Sequence, residues 1–251
     1  MQDAAFWLTL NPCETIALLI VREKKMAKIA AEKPLSQAIK ERRATPSFED
    51  VPIHNADLEK IIRAGLEAPS GYNTQPWRFV VVRDPEQKKK LRAAAFGQPK
   101  VEQASAVVVA CGDPLGWKNG DLEEMLRISA QHGFNDPAEQ EKIRRTISGF
   151  LGGPAGKAAG IEPTFDLWAN RQTMIAFTTM MWAAETLGYD TAPMEGFMED
   201  QVKALLKIPE RIRVVAFLAV GRLKGKDKMY AGRFEPARSV FAETWGESIE
   251  F

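Results

Sequence analysis

The sequence predicts a layered protein of helices alternating with a few buried strands, an α/β pattern. Three features carry that expectation. Short runs rich in β-branched and aromatic residues, at Trp77 to Val82, Ala106 to Cys111 and Ile212 to Val220, have the length and composition of strands. The stretches between them place apolar residues at helical spacing. Finally, no Gly-x-Gly-x-x-Gly turn follows any strand-like run, so a Rossmann dinucleotide domain is not expected.

Taken in order, Pro34 to Arg43 reads as a helix with Leu35, Ala38 and Ile39 on one face, ending at the basic pair Arg42-Arg43. Pro46 then turns the chain. Asn55 and Asp57 are suited to cap a second helix, which runs to about Ala68 through Leu58, Ile61, Ile62 and Leu66 before Pro69 breaks it. Residues Ser70 to Gln75 must form a loop. Strand Trp77 to Val82 ends at Asp84-Pro85, which also starts a helix to about Ala95. The run from Ala106 to Cys111 is apolar throughout, so it belongs at the centre of the sheet, covered on both faces.

From Asp121 to about Phe150 the pattern is that of one polar helix, closed by Leu151 to Lys157. The glycines of that closing run do not have Walker spacing, and Ala158 stands where Ser or Thr is needed, so it reads as a loop. Thr164 to Leu187 is the longest helix, nearly all apolar or small from Met174 to Ala184, with Gly188 as its C-cap. Thr178, Thr179 and Glu185 shorten its apolar run below the ~20 residues that a membrane span needs.

Composition narrows the function. The 251 residues carry 34 basic and 33 acidic side chains, a net charge of +1, so no global field draws the protein to nucleic acid or membrane. A small molecule is the expected partner. Two cysteines exclude a disulfide framework and favour the reducing cytoplasm. The two histidines, His54 and His132, stand apart with no ligands at metal spacing and no Gly-x-Ser-x-Gly turn, which argues against metal and hydrolase chemistry. Residues Ala4 to Val21 are apolar, but Asp3, Pro12 and Glu14 interrupt them and the basic cluster lies on the wrong side for a signal peptide. Residues 1–30 are expected to be an extension, and 31–251 a single domain.

Three segments offer groups suited to a planar, polar, phosphorylated ligand. Arg42 and Arg43 present guanidinium forks, which match phosphate geometry, although on this segment alone a solvated basic helix terminus complementing the helix dipole is the favoured reading. The loop from Ala68 to Phe79 is rich in small and amide-bearing residues. Past the long helix, Gly196 allows a close backbone approach within Pro193-Met194-Glu195-Gly196.

In family order and spacing, Arg42-Arg43 with Phe48, the Ala68 to Phe79 loop, Gly97-Gln98-Pro99-Lys100-Val101 and Pro193-Met194-Glu195-Gly196 resemble the nitroreductase family of FMN enzymes. The resemblance runs from about Leu35 to the C-terminus. It implies an α+β fold with a mixed, mainly antiparallel sheet wrapped by helices, in an interlocked homodimer with FMN held at the subunit interface. By the same resemblance, Arg42, Arg43 and Ala44 would lie at the phosphate, joined by Arg233. Pro69, Ser70, Gly71 and Asn73 would approach from the partner chain. Gln98 and Lys100 would face the pyrimidine edge, where a cation stabilises the reduced, anionic flavin. Pro193, Met194, Glu195 and Gly196 would line the ring beside N5, the atom that receives hydride.

Ala44, Pro46 and Ala231 depart from the family's usual Ser, basic residue and Lys, which shifts phosphate binding onto Arg42, Arg43 and Arg233. The implied activity is electron transfer from NADH or NADPH to nitroaromatic, quinone or similar acceptors by a ping-pong mechanism. The cofactor supplies the chemistry, so no catalytic triad is expected. Residues 112–163 are expected to form a lid, with Trp117, Phe134, Phe150 and Phe165 either shaping an aromatic pocket or forming dimer-interface core. Other flavin reactions such as reductive dehalogenation, a flavin-binding sensor without turnover, and a ligand-free helical interaction protein remain open alternatives.

Overall fold

The computed structural model describes residues 32–134, 136–158 and 165–250, so the expected extension at 1–30 lies outside the described residues. The chain begins with α1 (Leu35–Glu41) and α2 (Asn55–Leu66), followed by strand β1 (Trp77–Val82). Helices α3 (Pro85–Ala94) and α4 (Pro99–Gln103) lead into β2 (Ala106–Gly112). Next come α5 (Asp121–Gln131), α6 (Pro137–Gly152), the short α7 (Pro154–Ala158) and the long α8 (Phe165–Thr186). Strand β3 (Asp190–Met194), α9 (Glu199–Leu206) and β4 (Arg213–Gly221) complete the body.

The four strands form one sheet in the order β1-β2-β4-β3, and all three pairings are antiparallel. The expectation of a mainly antiparallel α+β fold is met, with no parallel pairing among the described residues. All seven residues of β2 are buried and both its neighbours are strands, as its apolar composition predicts. Alternation along β2 divides the core. Val107, Val109 and Cys111 face the α3, α4 and α9 side with Leu91, Val101 and Val202. Ala106, Val108 and Ala110 face α2 and α8 with Ile61, Phe177 and Met180.

Four local expectations are corrected. Residues 121–150 form two helices, because Gly133 takes φ 100° and Asp136 starts a new helix by accepting a bond from the Ala138 N–H at 2.9 Å. Asp57 does not cap α2. It is 1% exposed and accepts a 2.8 Å hydrogen bond from the Tyr189 hydroxyl, while Asn55 bonds Arg83. Pro193 and Met194, expected in a connecting segment, close edge strand β3. The run at Leu151 to Lys157, expected to be a loop, contains the end of α6 and the short helix α7.

Helix α2 crosses α8 closely at Gly65. A Cβ there would lie 2.3 Å from Met180 Cγ and 3.2 Å from the Ala176 carbonyl oxygen. Met180 is fully buried, so it has little room to yield. Gly65→Val is expected to destabilise the fold by about 1–3 kcal/mol, read as a lower midpoint in urea denaturation. An unchanged midpoint would mean that the two helices separate at no cost.

Candidate functional site

Arg42 follows α1 directly, and its backbone N–H closes that helix on the Ala38 carbonyl at 2.9 Å. Its guanidinium lies over the Trp182 ring of α8, 5.8 Å from the centroid. Nη1 is buried and has no hydrogen-bond partner among the described residues. Arg43 points elsewhere. Its Nη1 donates to the carbonyls of Lys40 and Glu41 at 3.0 Å and of Arg42 at 2.9 Å, so part of its donor capacity serves the open C-terminus of α1. The same guanidinium stacks on Tyr230 at 4.6 Å, and Arg233 approaches that ring at 5.6 Å. The structure thus gathers Arg43 and Arg233 around Tyr230, while Arg42 turns toward α8. Tyr230 was not anticipated, although its position three residues before Arg233 was a readable signal.

Ala44 is half-buried, and the next residue anchors the segment, since the Thr45 N–H donates to the Thr191 carbonyl of β3 at 3.0 Å. Thr191 in turn donates its hydroxyl to Glu185 Oε1 at 2.6 Å. Glu185 is 4% exposed, one helical turn beyond Trp182 on α8. Burial pushes its carboxyl up to about 7, only partly offset by the Thr191 hydrogen bond and by the charges of Arg42 and Lys33.

The second cluster lies at the far end of β3. Gln98 Nε2 donates to the Gly196 carbonyl at 2.9 Å, joining two segments predicted separately to share a ligand. A Cβ on Gly196 would meet Gln98 Nε2 at 3.2 Å and the Phe96 ring at 3.7 Å, so glycine keeps this backbone open. Pro193 and Met194 lead into it through pairing with Leu218 and Phe217, and Glu195 is exposed. Lys100 is half-buried nearby in sequence. Desolvation and the positive charge of Lys228 lower its pKa below the usual lysine range. Lys228, from the exposed C-terminal segment, was also missed.

The third segment, Pro69 to Gln75, sits at the other end of α8. The Gly71 N–H donates to Gln172 Oε1 at 2.8 Å, Ser70 Oγ accepts from the Gln75 N–H at 3.0 Å, and the Thr74 hydroxyl donates to the Gly71 carbonyl at 2.8 Å. Pro69 and Asn73 are exposed. Tyr72, Asn73 and Gln75 hold φ of 54°, 56° and 45°, a concentration of left-handed non-glycine residues that only a well-anchored loop sustains. Gln172 and Trp182 are separated by about 15 Å of α8 at ~1.5 Å per residue. Within one chain, therefore, this loop and Arg42 stay apart.

Of the aromatics expected to shape a pocket, Trp117, Phe150 and Phe165 pack against a buried cluster that includes Leu122, Leu151 and Trp168, and Phe150 touches Tyr72 with centroids 5.1 Å apart. Phe134, after α5, stands apart from that cluster and is 62% exposed in the single chain. A separate cavity of about 330 Å³ is lined by Arg78, Cys111, Asp113, Asp121 and Arg211 among others, and contains none of the predicted site residues. Four of its charges pair with one another, Arg78 with Asp121 at 2.6 Å and Arg211 with Asp113 at 3.3 Å. Among the described residues no cluster of His, Cys, Asp and Glu suits a metal ion.

Comparison with known proteins places the site in context. The chain matches the family model described as the Nitroreductase family over residues 39–222. It is 36% identical over 180 residues to a Thermus thermophilus protein named NADH dehydrogenase, covering 72% of this chain and 82% of that one. A Bacillus subtilis protein named as an NAD(P)H nitroreductase, MhqN, is 30% identical over 200 residues, covering 79% of this chain and 93% of that one. A solved structure from Exiguobacterium sibiricum, described as a nitroreductase in complex with FMN, shares the fold with a TM-score of 0.75. It covers 86% of this chain and 100% of that one at 23% identity.

Glu185 gives the folded protein a pH signature. Its carboxyl rises from the ordinary 4.5 to about 7 on folding, so the folded state binds the proton more tightly than the unfolded chain. The resulting stability is fully present below the unfolded value and is lost as pH rises through the folded one. About 3 kcal/mol should disappear across that window, at ~1.36 kcal/mol per pKa unit. Glu185→Gln is expected to flatten this slope in denaturation curves taken across the window, and an unaltered slope would assign the effect to another group.

Proposed function

The chain belongs to the nitroreductase family, and from that premise we propose that it is an FMN-dependent oxidoreductase, passing electrons from NADH or NADPH to nitroaromatic, quinone or similar small acceptors in ping-pong fashion. The observation that carries this reading is the buried Nη1 of Arg42, a charged donor with no partner among the described residues. Leaving such a group unpaired is costly, and a phosphate monoester satisfies it with a charge-assisted bond. The FMN complex described for the Exiguobacterium sibiricum protein supports the choice of ligand.

In this reading Arg42, Arg43, Ala44 and Arg233 hold the phosphate end, and Tyr230 spaces two of the three guanidinium groups. Pro193, Met194, Glu195 and Gly196 line the ring, with Gly196 leaving the backbone uncovered. Gln98 fixes that backbone through the Gly196 carbonyl, and Lys100 supplies positive charge at the ring edge. When bound, FMN supplies the hydride chemistry. The protein's tasks are to orient it, to balance its charge and to shelter the exchange face.

A homodimer completes the site in this proposal, because Pro69, Ser70, Gly71 and Asn73 lie too far along α8 to join Arg42 of their own chain. Two surfaces support it. Strand β1 is an edge of the sheet, with Val81 38% exposed. The C-terminal segment also leaves Met229, Phe234 and Trp245 exposed at 85%, 74% and 90%, apolar surface that a partner chain would cover. No described helix is long and apolar enough to cross a membrane. The buried free thiol of Cys111 is compatible with the proposed cytoplasmic setting.

Anaerobic addition of NADH or NADPH should bleach the flavin absorbance of the purified protein, and a nitroarene should restore it. Arg42→Ala is expected to weaken FMN binding by roughly 10- to 100-fold, the cost of one charged hydrogen bond. Protein that remains colourless and takes up no added FMN would end the proposal.

A further inference from the structure

Arg42 is tied into a closed circuit that the flavin reading alone does not use. Three residues beyond it, Thr45 bonds β3 through the Thr191 carbonyl, and the Thr191 hydroxyl holds Glu185 at 2.6 Å. Glu185 lies three residues after Trp182, so both occupy neighbouring positions on one face of α8, and the Arg42 guanidinium rests over Trp182. A buried carboxyl group thus shares a helix face with the ring that carries the Arg42 guanidinium, near enough for that charge to act on it although no hydrogen bond or ion pair joins the two among the described residues, where the buried Nη1 of Arg42 also has no partner.

We propose that Glu185 is a positioning residue for the phosphate site, leaving Arg42 free for a phosphate monoester when protonated and both engaging Arg42 and repelling the phosphate when ionised. The inference rests on the flavin reading and adds to it a proton that Glu185 takes up as the ligand binds. In the ionised state the carboxylate competes with the phosphate for one cation. In the neutral state that competition ends, and the Thr191 hydrogen bond keeps the carboxyl in place.

Among the described residues, three other charged groups act on Glu185: Arg42, Lys33 and Asp190. Lys33, just before α1, donates its backbone N–H to the Thr186 carbonyl at 2.8 Å and pairs through Nζ with Glu41 at 3.5 Å. Asp190 on β3 accepts from the Leu223 N–H at 2.7 Å. Lys33 and Arg42 favour the ionised form of Glu185 and Asp190 opposes it, while burial outweighs all three and places the titration at about 7. The switch therefore operates within the ordinary range of cellular pH.

The test compares FMN binding by the wild type and Glu185→Gln, followed through quenching of free FMN fluorescence from about pH 5.5 to about pH 8.5. The second ionisation of the phosphate, near pH ~6, is common to both proteins and cancels in the ratio of their affinities. That ratio is expected to be close to one at the acid end. At the alkaline end the variant should bind about tenfold more tightly, the effect of removing one nearby like charge. Riboflavin, which has no phosphate, should show no such divergence.

A ratio independent of pH overturns the proposal, as does the same divergence with riboflavin. Should Glu185→Gln not fold, Thr191→Val serves in its place. Loss of the hydroxyl donor raises the Glu185 titration, so the fall in FMN affinity should move to higher pH, and no movement overturns the idea. A wild type that takes up no FMN at any pH sinks the flavin reading together with this one, whereas FMN uptake with a pH-independent affinity ratio sinks only the role of Glu185.

Discussion

The rest of the structure depends on the contact between α8 and one face of the sheet. Phe177, Met180, Met181 and Ala184 bury one side of this 22-residue helix against β2 and β4, and Gly65 allows α2 to close over it. Each burial removes apolar area from water at about 25 cal/mol per Å², and the close packing leaves α8 no freedom to slide. Once its position is fixed, so are the ends of the candidate site. The first half of α8 grips the amide-rich loop through Gln172, and its last turn carries Trp182 beneath Arg42 and Glu185 against Thr191.

This arrangement makes the site a property of spacing rather than of any reactive side chain. Gly196, Gln98 and Lys100 lie beyond one end of β3, while Arg42 and Glu185 gather near its start. Because β3 pairs with no strand but β4 among the described residues, its outer edge can carry Pro193, which has no N–H to contribute to a ladder. The polar groups that matter are held by backbone bonds between distant segments. Their geometry thus follows from the packing of the core, and the surface residues around them have latitude to vary.

How much of this was legible depends on how local each cause is. Strands β1, β2 and β4 announce themselves through dense Val, Ala and Phe, and the burial of β2 on both faces follows from its lack of any polar residue. Strand β3 does not, because Asp190, Thr191 and Pro193 give it a turn-like composition that pairing with β4 overrides. Asp57 looked like a helix cap, yet its partner Tyr189 lies 132 residues away, a relation no local pattern encodes. Resemblance to a family supplied the order of the site segments, and the structure joins Gln98 to Gly196 across 98 residues. It could not supply Lys228 or Glu185, whose significance arises only from what the fold sets beside them, and Tyr230 was hinted at only by its nearness in sequence to Arg233.

Cys111, sealed inside β2, illustrates what the enclosed core does to a reactive element. Its sulfur is 1% exposed as a residue, and burial, reinforced by the negative charge of Glu199, drives the thiol up to about 12. Thiolate is the species that attacks disulfides and is oxidised by peroxides, so at neutral pH this cysteine is chemically silent. A protein whose proposed work is to move electrons, and which would meet oxygen while holding them, thereby keeps its core sulfur out of the circuit.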